Sequence, residues 1–220
     1  MKTIAVVPIK LNSNRLPHKN IKSFTNGEPL CNYILNTLSG IRLIDEVYVY
    51  CSKTEIRNYI PKHVKFLKRD EQLDQDTTKI NEVLISFAKE IEADVYVMAH
   101  TTAPFVKKES IEKGLISVMN RGYDSAFAVK KLQDFLWKDN KPFNYDLEYI
   151  PRTQDLEPIY EETSGFYIYK RNVMLDYNRR IGRNPYMVEV SEIEGIDIDE
   201  EEDFIIADAV FNYLQYLRST

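Results

Sequence analysis

The chain has only two cysteines, Cys31 and Cys51, and no CxxC pair. That usage suits a reducing cytoplasm and makes both thiols, set among apolar neighbours, buried groups rather than disulfide partners. No apolar run approaches the ~20 residues that a bilayer-spanning helix needs. Met1-Lys2-Thr3 leads into a strand pattern rather than a signal peptide, so the expected location is cytoplasmic. GxxxxGK[ST] and GxGxxG are both missing, which removes the two familiar glycine-based phosphate cradles. No Ser–His–Asp or Cys–His set is present to supply a covalent nucleophile. Positive charge is not in excess either: the net charge is -5 at pH 7, which argues against a nucleic-acid partner. Repeats, low-complexity stretches and Pro/Gly-rich linkers are absent, so nothing divides the chain.

What remains is an ordinary globular composition, 220 residues of which 44% are hydrophobic and 29% charged, enough for one domain over 1–220 with a substantial core. Apolar runs at 3–8, 46–51, 64–67, 94–99 and 124–129 read as strands. The stretches 30–40, 53–60, 77–91 and 108–120 read as amphipathic helices. In 77–91, Ile80, Val83, Leu84, Phe87 and Ile91 recur at helical intervals, with Thr77 or Thr78 as a cap. This alternation predicts an α/β fold, a mostly parallel open sheet with helices on both faces. The rhythm breaks after Val129. An insertion of about 130–162, rich in Pro, Asn, Asp and Tyr, is too long for an idle loop. Strands at 165–169 and 185–190 and a closing helix at 200–217 complete the pattern.

Three segments carry chemistry. The first strand runs into Lys10-Leu11-Asn12-Ser13-Asn14-Arg15-Leu16-Pro17-His18-Lys19-Asn20, a cationic loop on an acidic chain. Loops at the carboxyl ends of parallel strands are where open α/β sheets bind nucleotides, so a polyphosphate would explain the reversal of sign; a solvated basic loop is the plainer alternative. Ile196-Asp197-Ile198-Asp199 places two carboxylates on one side of an extended segment, a donor set that suits Mg²⁺ together with phosphate oxygens and water. The following Glu200-Glu201-Glu202 also suits a helix start, which accounts for Asp199 but not for Asp197. His100, at the end of the 94–99 strand, is either a hydrogen-bonder or a general base.

The first of these segments resembles the opening pattern of the acylneuraminate cytidylyltransferase family, A-R-x-x-S-K-x-[LIV]-x-x-K-N. Ser13, Leu16, Lys19 and Asn20 match, and Asn12 and Pro17 suit some members. Lys10 replaces the usual Arg and Asn14 the usual Lys, with Arg15 beside it as a substitute. Ile196 to Phe204 is similar to the family's I-D-I-D-x-x-x-D-[FL], and Ala99 to Phe105 to its L-Q-P-T-S-P-L, with Thr102 and Pro104 retained and His100 in the place of Gln. Arg69, Leu73 and Asp76 fit its R-P-x-x-L-A-x-D spacing. Arg152 to Tyr160 resembles R-[RST]-Q-D-L-P-P-x-Y.

The resemblance implies transfer of CMP from CTP to sialic acid or a related nonulosonic acid, with release of pyrophosphate, as in capsule or surface polysaccharide biosynthesis. It implies catalytic roles for Lys19, Arg15, Asp197 and Asp199, with Mg²⁺ on the two aspartates. Nucleotide contacts would come from Lys10, Asn12, Ser13, Asn20, Arg69, Asp76, His100 and Thr102. The sugar acid would meet Arg152, whose planar fork suits a carboxylate, and Gln154. Arg179, Arg180 and Arg183 either assist that contact or are surface charge. The insertion would reach into a partner subunit of a homodimer. Lys10, Asn14, His100 and Glu161-Glu162 depart together from the family pattern, which leaves open another sugar acid or a phosphonate as acceptor. A non-catalytic nucleotide-binding domain is the reading from outside enzymology.

Overall fold

Strands that are apolar on both faces dictate the layering. The computed structural model describes residues 1–13 and 15–219, so the Asn14 position lies outside the described residues. Along the chain run β1 (Thr3–Ile9), β2 (Glu46–Cys51), β3 (Lys65–Lys68), β4 (Val95–Ala99), β5 (Ser125–Leu132), β6 (Trp137–Lys138), β7 (Lys141–Pro142), β8 (Ile159–Lys170) and β9 (Pro185–Glu189). The helices are α1 (Leu30–Ser39), α2 (Ile80–Glu90), α3 (Lys108–Asn120), α4 (Arg171–Leu175) and α5 (Glu201–Ser219). In β1, Ala5, Val7 and Ile9 face one side and Ile4 and Val6 the other, all fully buried; β4 repeats this with Val95, Val97 and Ala99 against Tyr96 and Met98. Such strands need cover on both faces. Ile34, Leu35 and Leu38 of α1 and Ile111 and Leu115 of α3 cover the first face. Leu84 and Phe87 of α2 and Val173 and Met174 of α4 cover the second.

Seven strands pair in the order β3-β2-β1-β4-β8-β5-β9, and every neighbouring pair is parallel except those of β8, which is antiparallel to β4 and β5. The mostly parallel sheet with helices on both faces is therefore the architecture found. From β1 the chain builds outward through β2 and β3, then returns to β4 on the other side. The loops leaving the carboxyl ends of β1 and β4 diverge there, and that switch point is where such sheets open a crevice. A third cluster, Leu16, Phe24, Leu30, Ile198, Phe204, Ala207 and Phe211, docks α5 against the segment after β1.

Three boundaries differ from expectation. The stretch 53–60 forms a single 3-10 turn, Thr54–Asn58, because only Ile56 is anchored in the core before Pro61 intervenes. Thr77 and Thr78 do not cap α2; Lys79 holds that position, and its backbone N–H donates to Glu82 at 3.3 Å. The insertion is narrower than 130–162. Val129–Leu132 pair with Glu162–Ile159 as an extension of the β5–β8 ladder, with Lys130 and Glu161 in register and joined by an ion pair of 3.0 Å. Charged cross-strand pairing carries no apolar alternation, so the sequence pattern misses it. The remaining arm, 133–158, carries the small β6–β7 hairpin. Cys31 and Cys51 are buried free thiols; burial pushes the Cys31 thiol up to about 12.

Candidate functional site

The cationic loop and the acidic segment meet at the switch point. Lys19 follows His18, whose φ of 57° turns the chain into a 3-10 helix at Lys19–Ile21 and directs the lysine inward. Only 8% of Lys19 is exposed, and its Nζ donates to the Ile198 carbonyl at 2.7 Å and to Asp199 Oδ1 at 3.1 Å. Arg15 grips the same carboxylate with both arms of its fork, at 2.8 Å each. Burial acts to raise the Asp199 carboxyl, but the Lys19 and Arg15 cations outweigh it and hold the group below the usual carboxylate range. Asp199 does not cap α5. The Asp203 carboxylate takes that task, accepting from the backbone N–H of Asp199 at 2.9 Å and of Glu200 at 2.8 Å.

Asp197 has a different environment. Its Oδ1 is buried and has no hydrogen-bond partner among the described residues. A buried carboxylate oxygen without a donor is costly unless a ligand satisfies it. Among the described residues no group of three or more His, Cys, Asp or Glu side chains makes a ready metal cage. Two aspartates with an orphaned oxygen nevertheless fit a hard cation that completes its shell with phosphate and water.

The loop after β4 forms the other wall. Its Thr101 hydroxyl donates to Asn20 Oδ1, while Asn20 Nδ2 donates to the Lys10 carbonyl at 2.7 Å, so Asn20 stitches the two loops together. The Thr102 carbonyl accepts from the Ile198 N–H at 2.9 Å, which fixes the aspartate segment to this wall. Burial drives the His100 imidazole down to about 4; Asp197 opposes the shift, while Arg180 and Lys19 reinforce it. His100 is thus neutral at pH 7, a hydrogen-bonding group and a weak base.

Other expected residues are distributed as follows. Lys10 pairs with Asp76 at 2.7 Å. Arg69 is buried against the carbonyls of Ile9 and Tyr50 and pairs with Asp74, which also accepts from the Ser52 hydroxyl. Arg69 therefore braces the carboxyl ends of β1 and β2. Asn12 is exposed and Ser13 half-buried on the same loop. Arg152 and Gln154 are exposed on the arm; Arg152 bonds Asp155 at 2.7 and 3.1 Å, and no hydrogen bond or ion pair among the described residues links it to the crevice. Sequence reasoning missed Thr101 and Asp74, and left Arg180 undecided. Arg180 lies with its Cζ 4.0 Å from the centre of the Tyr167 ring. The double arginine at 179–180 was the available signal, without a partner to interpret it.

A doubly wound sheet with cations and carboxylates converging at its switch point defines a nucleotide-binding type of α/β protein. The family profile described as cytidylyltransferase matches residues 4–214, and the chain belongs to that family. It is similar to N-acylneuraminate cytidylyltransferase A of Danio rerio, 24% identical over 93% of this chain and 49% of that protein. It is also similar to the pseudaminic acid cytidylyltransferase of Campylobacter jejuni, 24% identical over 76% of this chain and 78% of that one. The chain spans about half the length of the zebrafish relative. The fold is shared with a CMP:2-keto-3-deoxy-manno-octonic acid synthetase solved with CTP, at a TM-score of 0.75 and 17% identity, covering 97% of this chain and 99% of that one.

Proposed function

We propose that this protein transfers CMP from CTP to a sugar acid of the nonulosonic type and releases pyrophosphate. The observation that carries the reading is the convergence of Lys19, Arg15, Asp199 and Asp197 at the β1–β4 crevice in a chain whose family match runs from 4 to 214. An acceptor hydroxyl attacks the α-phosphorus and the bond to pyrophosphate breaks. Lys19, Arg15 and Lys10 are the cations within the crevice loops that stabilise charge growing on the phosphates. Thr102 holds the aspartate segment in place, and neutral His100 orients a hydroxyl or phosphate oxygen. Asp197 and Asp199 would hold Mg²⁺, which when bound polarises the α-phosphate and neutralises the leaving group.

The acceptor is named only as a class, because the curated relatives divide between N-acylneuraminate and pseudaminate in name and Glu161-Glu162 departs from the family pattern. A homodimer in the cytoplasm is part of the same reading. The dimer is supported by the arm, which exposes Trp137, Phe143, Leu147, Tyr149 and Ile150 to more than half of their surface. Pyrophosphate release is measured with CTP and each of N-acetylneuraminic, pseudaminic and 2-keto-3-deoxy-manno-octonic acids, with the other nucleoside triphosphates as controls. Turnover restricted to CTP and dependent on one acid is the expected result. Tight CTP binding without turnover on any acid rejects transfer. Asp197→Asn should weaken Mn²⁺ binding to the CTP complex, read by electron paramagnetic resonance.

A further inference from the structure

Beyond the phosphate cations, a second basic constellation stands on the α2–α4 side of the same crevice. Arg180 stacks on Tyr167, and its Nη2 lies 3.4 Å from Glu162 Oε1, the atom that also accepts from the Tyr167 hydroxyl at 2.5 Å. That contact is long, so Glu162 holds the guanidinium only loosely. With Lys79 and Arg179, Arg180 frames a depression of about 440 Å³, in which three cations outnumber the single carboxylate of Glu162. The loop that presents Arg180 is anchored: Asp124 accepts from the backbone N–H of Arg183 at 2.7 Å and of Asn184 at 2.9 Å. Tyr167 and Glu162 lie on β8, where Tyr167 pairs with Met98 and Phe166 with Ala99 of β4, and the Gly165 carbonyl accepts from the His100 N–H at 3.3 Å, so the depression neighbours the carboxyl end of β4.

We propose that Arg180 receives the carboxylate of the acceptor, with Tyr167 and Glu162 positioning its guanidinium. The assignment rests on the reading of the protein as a CMP transferase to a sugar acid, and moves the acid contact from Arg152 to Arg180. The Arg152 fork is closed by two bonds to Asp155 and its side chain is 73% exposed, whereas that of Arg180 is 27% exposed and meets its carboxylate only at 3.4 Å. A half-buried, preoriented guanidinium binds a carboxylate more strongly than a solvated one that is already paired.

Steady-state kinetics of the full chain and of Arg180→Gln and Arg180→Lys test this, with whichever sugar acid the intact protein turns over and with the carboxamide of that acid. Calorimetric CTP binding shows that each variant is folded. The expected result for Arg180→Gln is an acceptor KM raised about 10- to 100-fold with the CTP KM unchanged, the loss of a charge-assisted contact. Arg180→Lys falls between it and the parent. On the carboxamide, the penalty of Arg180→Gln disappears. An unchanged acceptor KM, or an equal penalty on acid and carboxamide, overturns the assignment while leaving transfer intact. Absence of turnover by the unaltered chain on every acid of the panel overturns transfer, and this subsite with it.

Discussion

At the scale of single residues, the site is governed by how each charge is satisfied. Lys19 is a nearly buried cation that serves the Ile198 carbonyl and Asp199 together. Lys19→Met leaves the carbonyl unpaired and Asp199 with Arg15 alone, so stability in urea should fall by about 1–3 kcal/mol. CTP affinity should fall about tenfold or more by calorimetry; an unchanged affinity would make the lysine a structural brace only. His100 gives a pH signature. Its pKa is depressed from 6.5 to about 4, so between these values the unfolded chain binds the proton and the folded one does not. Stability therefore rises with pH across that window and is lost as pH falls through it, by up to about 3 kcal/mol. In chelator, His100→Asn should flatten this slope in urea titrations between pH 7 and 4.5.

At the scale of elements, the loop between α4 and β9 shows how a glycine positions a side chain. A Cβ on Gly182 would land inside the Asp124 carboxylate, which the Ser125 hydroxyl and the N–H groups of Arg183 and Asn184 hold in place. Gly182→Ala should cost about 1–3 kcal/mol in urea unfolding through this overpacking. It should also raise the acceptor KM more than the CTP KM, because Arg180 rides on the loop that is displaced. The central strands and main helices were legible in the sequence, since β1, β4 and α3 carry their burial in local periodicity. The β5–β8 extension was not. Its Lys130 and Glu161 pair across strands, a relation that no local pattern encodes. The antiparallel direction of β8 was equally silent, because alternation reports faces and not direction.

At the scale of the whole molecule, the site exists because the C-terminal helix returns to the N-terminal loop. Phe211 packs at 5.3 Å from both Phe24 and Tyr33, and Phe204 at 5.2 Å from Phe24. These contacts carry the aspartate segment to Lys19 and Arg15. Phe211→Ala should cost about 3–5 kcal/mol of stability by calorimetric or urea unfolding. Under conditions where the variant remains folded, its CTP affinity should also fall, because the two halves of the crevice are then held less closely.

The residues alone determined the layers, the cationic loop, the aspartate pair and the family pattern, because hydrophobic period and motif spacing are local properties of a chain. Tertiary structure decided the pairings. It joined Arg15 to an aspartate 184 positions away, gave Arg69 to Asp74, and laid Arg180 over Tyr167. A charge chooses its partner by distance and desolvation in the folded core, and neither exists until the sheet and its helices have closed around it.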